Sequence, residues 1–359
     1  MNQSSDSLNK IKVFIVDDSP LMCKALEDLL SDDPEVEIVG KALSGHTALE
    51  SLEMVESDVC TLDVQMPGMN GLTLLKHIMI RHPMPALMLS AFTGEGEEVT
   101  FDALRYGAVD FLKKPSRDDD IDLDSHKSLI LAKIKRAANV HVSAAKYLRV
   151  RYSGGPKKAL TEEETTFPKG ITVIGSSTGG YASLLKLFPA MFLPPVEPVL
   201  VVLGTPVQYM HGFVDYLQSY VPFNLERAKD QEVLKRGNVY FISSEETASL
   251  DREGDSLTMH LSSKGNISQD ESGLDLLLFS ASDLYSASTL AVFLSGDKIE
   301  GLSGAREVLR LGGSVMVQKP KSCLSPELPD KIIEELNVEA ILINALTEKI
   351  QTWTERKEE

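Results

Sequence analysis

The stretch Asp58-Val-Cys-Thr-Leu-Asp63-Val-Gln-Met-Pro67-Gly-Met-Asn-Gly71-Leu72 decides how the first half of this chain folds. Its apolar, β-branched start predicts a buried strand over residues 58–63. Pro67, Gly68 and Gly71 then break the strand, and a helix is predicted over residues 71–81. In open α/β sheets, ligands bind beyond the carboxyl ends of the strands. Asp63 therefore stands where such folds do chemistry, although a lone acid there would more often be a simple strand cap.

The flanking sequence repeats the pattern. Apolar runs predict strands over residues 11–16, 37–41, 86–89 and 109–112. Helical spacing predicts helices over 21–30, 45–54, 97–106 and 127–139, with Gly107 closing one of them. Strands alternating with helices predict a doubly wound parallel sheet. Its strand ends collect Asp17, Asp18, Asp63, Ser90 and Lys114. Adjacent acids repel, and a cation relieves that repulsion. Asp17, Asp18 and Asp63 form a set of hard oxygen donors suited to one Mg²⁺. With a cation present, Asp63 can attack a phosphoryl donor as a carboxylate nucleophile. Lys114 and Ser90 can then bind the phosphoryl oxygens.

This set resembles the receiver domain of response regulators, a flavodoxin-like fold, over residues 11–139. The resemblance implies that Asp63 is the phosphoacceptor and that Ser90, Phe111 and Lys114 form the switch. It also implies that Gln65 lends its backbone carbonyl to the metal, and that the Lys114–Pro115 bond is cis. Rival folds that phosphorylate an aspartate usually carry a second acid two residues further on; here that residue is Gln65.

Bulk properties limit what the whole chain can be. Its 359 residues suggest two or three domains, and 43% hydrophobic residues can fill full-sized cores. A formal charge of −17 argues against binding a nucleic-acid backbone. Cys23, Cys60 and Cys323 lie far apart without metal-ligand spacing, as expected for reduced thiols in the cytoplasm. The polar N-terminus and the lack of a long apolar run predict neither signal peptide nor membrane insertion. Residues 1–10 are expected to be disordered, and the five aspartates within 117–124 to be a solvated loop. Residues 140–169, with mixed charge, Gly and Pro, read as a linker with a short helix near 144–149.

From residue 170 the α/β patterning resumes and runs to about 352, followed by a tail over 353–359. Residues 171–174 form an apolar strand, Gly175-Ser-Ser177-Thr178-Gly-Gly180 a turn, and 181–188 a helix. Such a unit aims backbone N–H groups at whatever binds the helix start. The spacing alone leaves open a phosphate cradle, a serine nucleophile or a structural turn. The later segments, Gly204-Thr-Pro206, His211-Gly-Phe213, Gly273-Leu-Asp275 and Ser295-Gly-Asp-Lys-Ile-Glu300-Gly301, occur in a family order. Over residues 170–346 they resemble the methylesterase domain of chemotaxis response regulators of the CheB family. The fold this implies is an α/β domain with a mainly parallel sheet.

That resemblance implies removal of methyl esters from chemoreceptor glutamates, and deamidation of receptor glutamines, through a Ser-His-Asp triad. Ser177 takes the nucleophile position and Thr178 the oxyanion side. The acid position falls on Glu300, and the histidine position on Gly204. A serine hydroxyl without a base is a weak nucleophile. The second half holds two histidines, His211 and His260. His211, a few residues past the expected place, is the candidate substitute base; His260 sits in an alternating, strand-like run. Two functions stay open: a receptor methylesterase/deamidase, and a phospho-switched pseudoenzyme that binds receptors or a kinase without hydrolysis. The implied partners are a chemotaxis histidine kinase and methyl-accepting receptors. In the family, the unphosphorylated receiver blocks the esterase site and phosphorylation relieves the block. A monomer is expected.

Overall fold

The structure is a computed structural model that describes residues 10–90, 95–114, 123–140, 142, 167–263 and 272–353; for 95–97 and 123–126 it describes the backbone alone. The expected disordered N-terminus, the aspartate-rich loop, the short helix near 144–149 and the Lys114–Pro115 bond lie outside the described residues, as does most of the expected linker. The chain divides into two compact units, Met1–Tyr147 and Leu148–Glu359.

In the first unit, β1 (Ile11–Val16), α1 (Pro20–Ser31), β2 (Val36–Ala42), α2 (Gly45–Leu52) and β3 (Val59–Asp63) follow in order. After them come α3 (Gly71–Arg81), β4 (Ala86–Ser90), α4 (Glu95–Arg105), β5 (Asp110–Lys113) and α5 (Leu123–Ala138). The strands pair in parallel in the order β2-β1-β3-β4-β5. Val13–Val16 and all of β3 and β4 are buried, which is why they read as unbroken apolar runs. The helix starts are written in the sequence. Ser19 Oγ accepts from Met22 N, Ser44 Oγ from Thr47 N and Asn70 Oδ1 from Thr73 N. Because β2 and β3 lie on opposite sides of β1, the chain reverses direction across the sheet between β1 and β3. A crevice at that reversal is the usual ligand site of such sheets.

The second unit contains β6 (Ile171–Ser176), α6 (Gly180–Leu187), β7 (Val199–Leu203), α7 (Val207–Gln218), β8 (Leu225–Arg227) and β9 (Glu232–Val233). It continues through β10 (Val239–Ser243), β11 (Glu246–Glu253), β12 (Ser256–Ser263), α8 (Gly273–Tyr285) and β13 (Thr289–Phe293). It ends with α9 (Leu302–Arg310), β14 (Ser314–Gln318), α10 (Glu327–Leu336), β15 (Ala340–Ile341) and α11 (Ile343–Gln351). Seven strands form a parallel sheet in the order β15-β14-β13-β6-β7-β10-β8. The sequence pattern did not predict the small antiparallel sheet β11-β12-β9, apart from the alternation around His260. Ala248, Leu250, Leu257 and Met259 of this hairpin join the core cluster that also holds Leu274, Leu277 and Leu278 of α8. The chain leaves β6 for β7 on one side and later returns to β13 on the other. The residues after β6 therefore sit at this unit's own reversal point.

Candidate phosphoacceptor and hydrolase sites

The first unit brings its predicted residues together. Asp17 follows β1, Asp63 ends β3, and both are buried while Asp18 is exposed. Carboxylate oxygens of Asp17, Asp18 and Asp63 lie within 4.8 Å of one another. Lys114, just past β5, places Nζ 2.7 Å from Asp17 Oδ2 and 2.8 Å from Asp63 Oδ2. Asp17 Oδ1 accepts from Ser19 N at 3.0 Å, and Asp63 Oδ1 from Gln65 N at 3.1 Å. These local bonds hold each carboxylate in a fixed orientation at its strand end.

Burial pushes the Asp63 carboxyl above its ordinary range, against the opposing pull of Lys114. Burial acts to lower the Lys114 ammonium, but its contacts to Asp17 and Asp63 outweigh this and hold it above its usual value. Three carboxylates face one ammonium, a formal excess of two negative charges. Asp17 Oδ2 is buried without a hydrogen bond of regular geometry among the described residues; its 2.7 Å contact with Lys114 is an ion pair off the hydrogen-bonding direction. An all-oxygen donor set and a two-charge imbalance fit a hard divalent cation such as Mg²⁺. Ser90 ends β4, one residue beyond Leu89, the partner of Asp63 in the ladder. Phe111 is buried edge-on against Phe101, with centroids 6.0 Å apart. Lys133 Nζ donates to the Phe111 carbonyl at 2.8 Å and pairs with Asp110 at 2.9 Å, which ties α5 to β5.

In the second unit Ser177 follows β6, between the ends of β7 and β13. Its hydroxyl donates to Asp297 Oδ1 at 3.0 Å and accepts from Asp297 N at 3.0 Å and Lys298 N at 3.3 Å. Thr178 N donates to the same Asp297 Oδ1 at 3.4 Å. Neither predicted partner supplies these contacts. His211 lies on α7 with 78% of its side chain exposed, and its Nε2 is 3.5 Å from Asp215 Oδ2, one turn along the helix. It makes no hydrogen bond to Ser177. His260 is on β12, 4.0 Å from Glu253. Glu300 is half-buried in the loop after β13, where its N–H donates to the Lys298 carbonyl at 3.0 Å.

That backbone turn leads into α9, and buried Asp275 clamps the start of the helix. Asp275 Oδ1 accepts from Gly304 N at 2.7 Å, while Oδ2 accepts from Gly301 N at 3.3 Å and Ser272 Oγ at 2.6 Å. The residue that reaches Ser177 is thus Asp297, three positions before the predicted acid, and sequence reasoning did not assign it. The available signal was an acid inside a loop otherwise read only for its terminal Glu300.

Two glycines let the loops close around this serine. A Cβ on Gly204 would lie 2.8 Å from both Cα and Cβ of Ser177, and one on Gly296 would lie 2.7 Å from Ser177 Oγ. Gly204 is where a histidine was expected. Backbone and serine occupy the space that a side chain there would need.

Comparison with known proteins agrees with this division of the chain. Residues 13–124 match the response regulator receiver domain, and residues 172–350 match the CheB methylesterase. The chain is 34% identical over 326 residues to a protein-glutamate methylesterase/protein-glutamine glutaminase of Pyrococcus horikoshii, covering 90% of this chain and 88% of that one. It is 30% identical over 338 residues to the protein of the same name from Halalkalibacterium halodurans, covering 93% and 95%. The crystal structure of the Thermotoga maritima CheB methylesterase catalytic domain is 28% identical, covers 50% of this chain and 96% of that one, and has a TM-score of 0.46. With a receiver followed by a methylesterase domain, and relatives matched over nearly its whole length, this chain belongs to the CheB family of chemotaxis response regulators.

Proposed function

We propose that this protein is a response regulator phosphorylated on Asp63, whose output domain keeps the methylesterase fold but not efficient hydrolysis. In the receiver, an Asp63 carboxylate oxygen attacks the phosphorus of a kinase phosphohistidine. The new O–P bond forms as the P–N bond breaks. Lys114, already 2.8 Å from Asp63, turns to a phosphoryl oxygen, and Ser90, one residue beyond the ladder partner of Asp63, donates its hydroxyl to another. Mg²⁺ held by Asp17, Asp18, Asp63 and the Gln65 carbonyl would neutralise charge on the transferring group. The expected partners are a chemotaxis histidine kinase and methyl-accepting receptors in the cytoplasm.

The observation that carries the second half of this reading is the Ser177 hydroxyl bonded to Asp297, with His211 turned to solvent. A serine triad stripped of any one member keeps only about 10³–10⁴-fold catalysis over water. The output domain then acts as a binding module for receptors. A slow methylesterase is the second reading, favoured by the intact Ser177-Thr178-Gly179-Gly180 turn and by what the relatives are named. Methanol release from methylated receptor membranes, with and without a phosphodonor, separates the two. Release at background while the protein still co-sediments with the membranes is expected. Robust release that depends on Ser177 would overturn the binding-module reading.

A further inference from the structure

We infer that Asp297 sets the reactivity of Ser177 and holds this serine closed; the inference rests on the reading of the output domain as non-hydrolytic. A hydroxyl has one proton to donate and two lone pairs to accept with. Ser177 has committed all three: its proton goes to Asp297 Oδ1, and its lone pairs take Asp297 N and Lys298 N. No lone pair remains to form a bond to an acyl carbon.

The same carboxylate takes one N–H that hydrolysis could use, and the serine itself takes two more. Acyl transfer requires N–H groups aimed at the developing oxyanion. Thr178 N points to Asp297 Oδ1, and the N–H groups of Asp297 and Lys298 point to Ser177 itself. A fixed negative charge therefore stands beside the place where a second one would have to grow. The loop is built to make this contact. Gly296 permits the close approach, and Asp275 anchors the following helix through Gly301 and Gly304. Asp297 acting instead as a general base would need Ser177 to keep a free lone pair and the oxyanion to have other donors. In this geometry Ser177 keeps no free lone pair, and Thr178 N is already turned to the carboxylate.

The test uses phenylboronic acid and the full-length protein. Ser177 Oγ adds to trigonal boron, the serine proton leaves to solvent, and a tetrahedral boronate forms, which ¹¹B NMR distinguishes from the free acid. Asp297→Gly removes the carboxylate; Asp297→Asn keeps its shape and removes the charge. Both variants are expected to bind the boronic acid at least about tenfold more tightly than wild type, with the tetrahedral boron signal lost on adding Ser177→Ala. If Asp297→Gly fails to fold, Asp297→Asn alone carries the comparison. Unchanged affinity would overturn the inference, and weaker affinity would make Asp297 an activating group. Rapid methanol release by the wild type would defeat the non-hydrolytic reading itself. Slow release with unchanged boronate binding would defeat the closure by Asp297 alone.

Discussion

Replacing Gly204 by histidine puts the missing residue type back at its expected position, and the packing says that this alone will not work. The new Cβ would lie 2.8 Å from both Cα and Cβ of Ser177. Carbon atoms in favourable contact are about 3.5–4.0 Å apart, so the β6 turn or the β7 end must move. Forcing extra atoms into a packed site costs about 1–3 kcal/mol. In a domain of this size each kcal/mol lowers the melting temperature by about 2–4 °C, so Gly204→His should lose roughly 2–12 °C. The imidazole would still face a serine whose hydroxyl is bonded to Asp297. Methanol release from methylated receptors should therefore stay close to the wild-type rate, with no inflection near about pH 6.5, the ordinary histidine value. Differential scanning calorimetry and the methanol assay check the two halves. A variant that melts with wild type and gains a histidine-like pH profile would refute the argument from space.

Four further outcomes are expected. With Mg²⁺ and a small-molecule phosphodonor the protein should form an acid-stable, base-labile acyl phosphate, and equal labelling of Asp63→Asn would remove Asp63 as the acceptor. Because burial raises the Asp63 carboxyl, the folded state binds that proton more tightly than the unfolded chain, and stability falls as pH rises from the usual carboxylate range through the raised value. Asp63→Asn should therefore melt higher than wild type at pH 7 and lose that advantage below about pH 3.9; a lower melting point at pH 7 would contradict the sign. Ser177→Ala strands the N–H groups of Asp297 and Lys298 and should cost about 1–3 kcal/mol in denaturant unfolding, whereas a stabilised variant would indicate a strained, working nucleophile. If phosphorylation of Asp63 is transmitted to the output domain, amide exchange across residues 175–180 should speed up, and no change in a protein shown to be phosphorylated would remove that coupling.

Legibility in the sequence followed the periodicity of the elements and the reach of their side chains. β1 and α3 fall on the residues their patterns predict, because strands buried on both faces read as unbroken apolar runs and Asn70 marks a helix start. The Asp17, Asp18, Asp63 and Lys114 cluster was also readable, since each residue lies at or just past a strand end and parallel strands bring their ends together. The hairpin β11-β12 was harder. β11 buries Thr247, Ala248 and Leu250 while exposing Ser249 and its Asp251–Glu253 end, too weak an alternation to stand out. Asp297 was missed for a different reason. Its contact with Ser177 spans 120 residues of sequence and depends on the absence of side chains at Gly204 and Gly296, which a search for acids and bases does not register.

The two candidate sites occupy equivalent places, each beyond the strand ends where its parallel sheet reverses direction, and they differ in what is left unsatisfied. At the receiver site three carboxylates face one ammonium, Asp17 Oδ2 lacks a regular hydrogen bond, and burial works against the charge on Asp63. Such an arrangement costs stability, and a cation or phosphoryl group that relieved it would interact differently with the two states, which is what a switch requires. At Ser177 the situation is reversed: its hydroxyl is bonded as donor and as acceptor, and the N–H groups of Thr178, Asp297 and Lys298 already have partners. A ligand arriving there would have to break those bonds before making its own. On the reading proposed above, the free energy available for signalling lies at Asp63, while the serine site is already bonded into its fold.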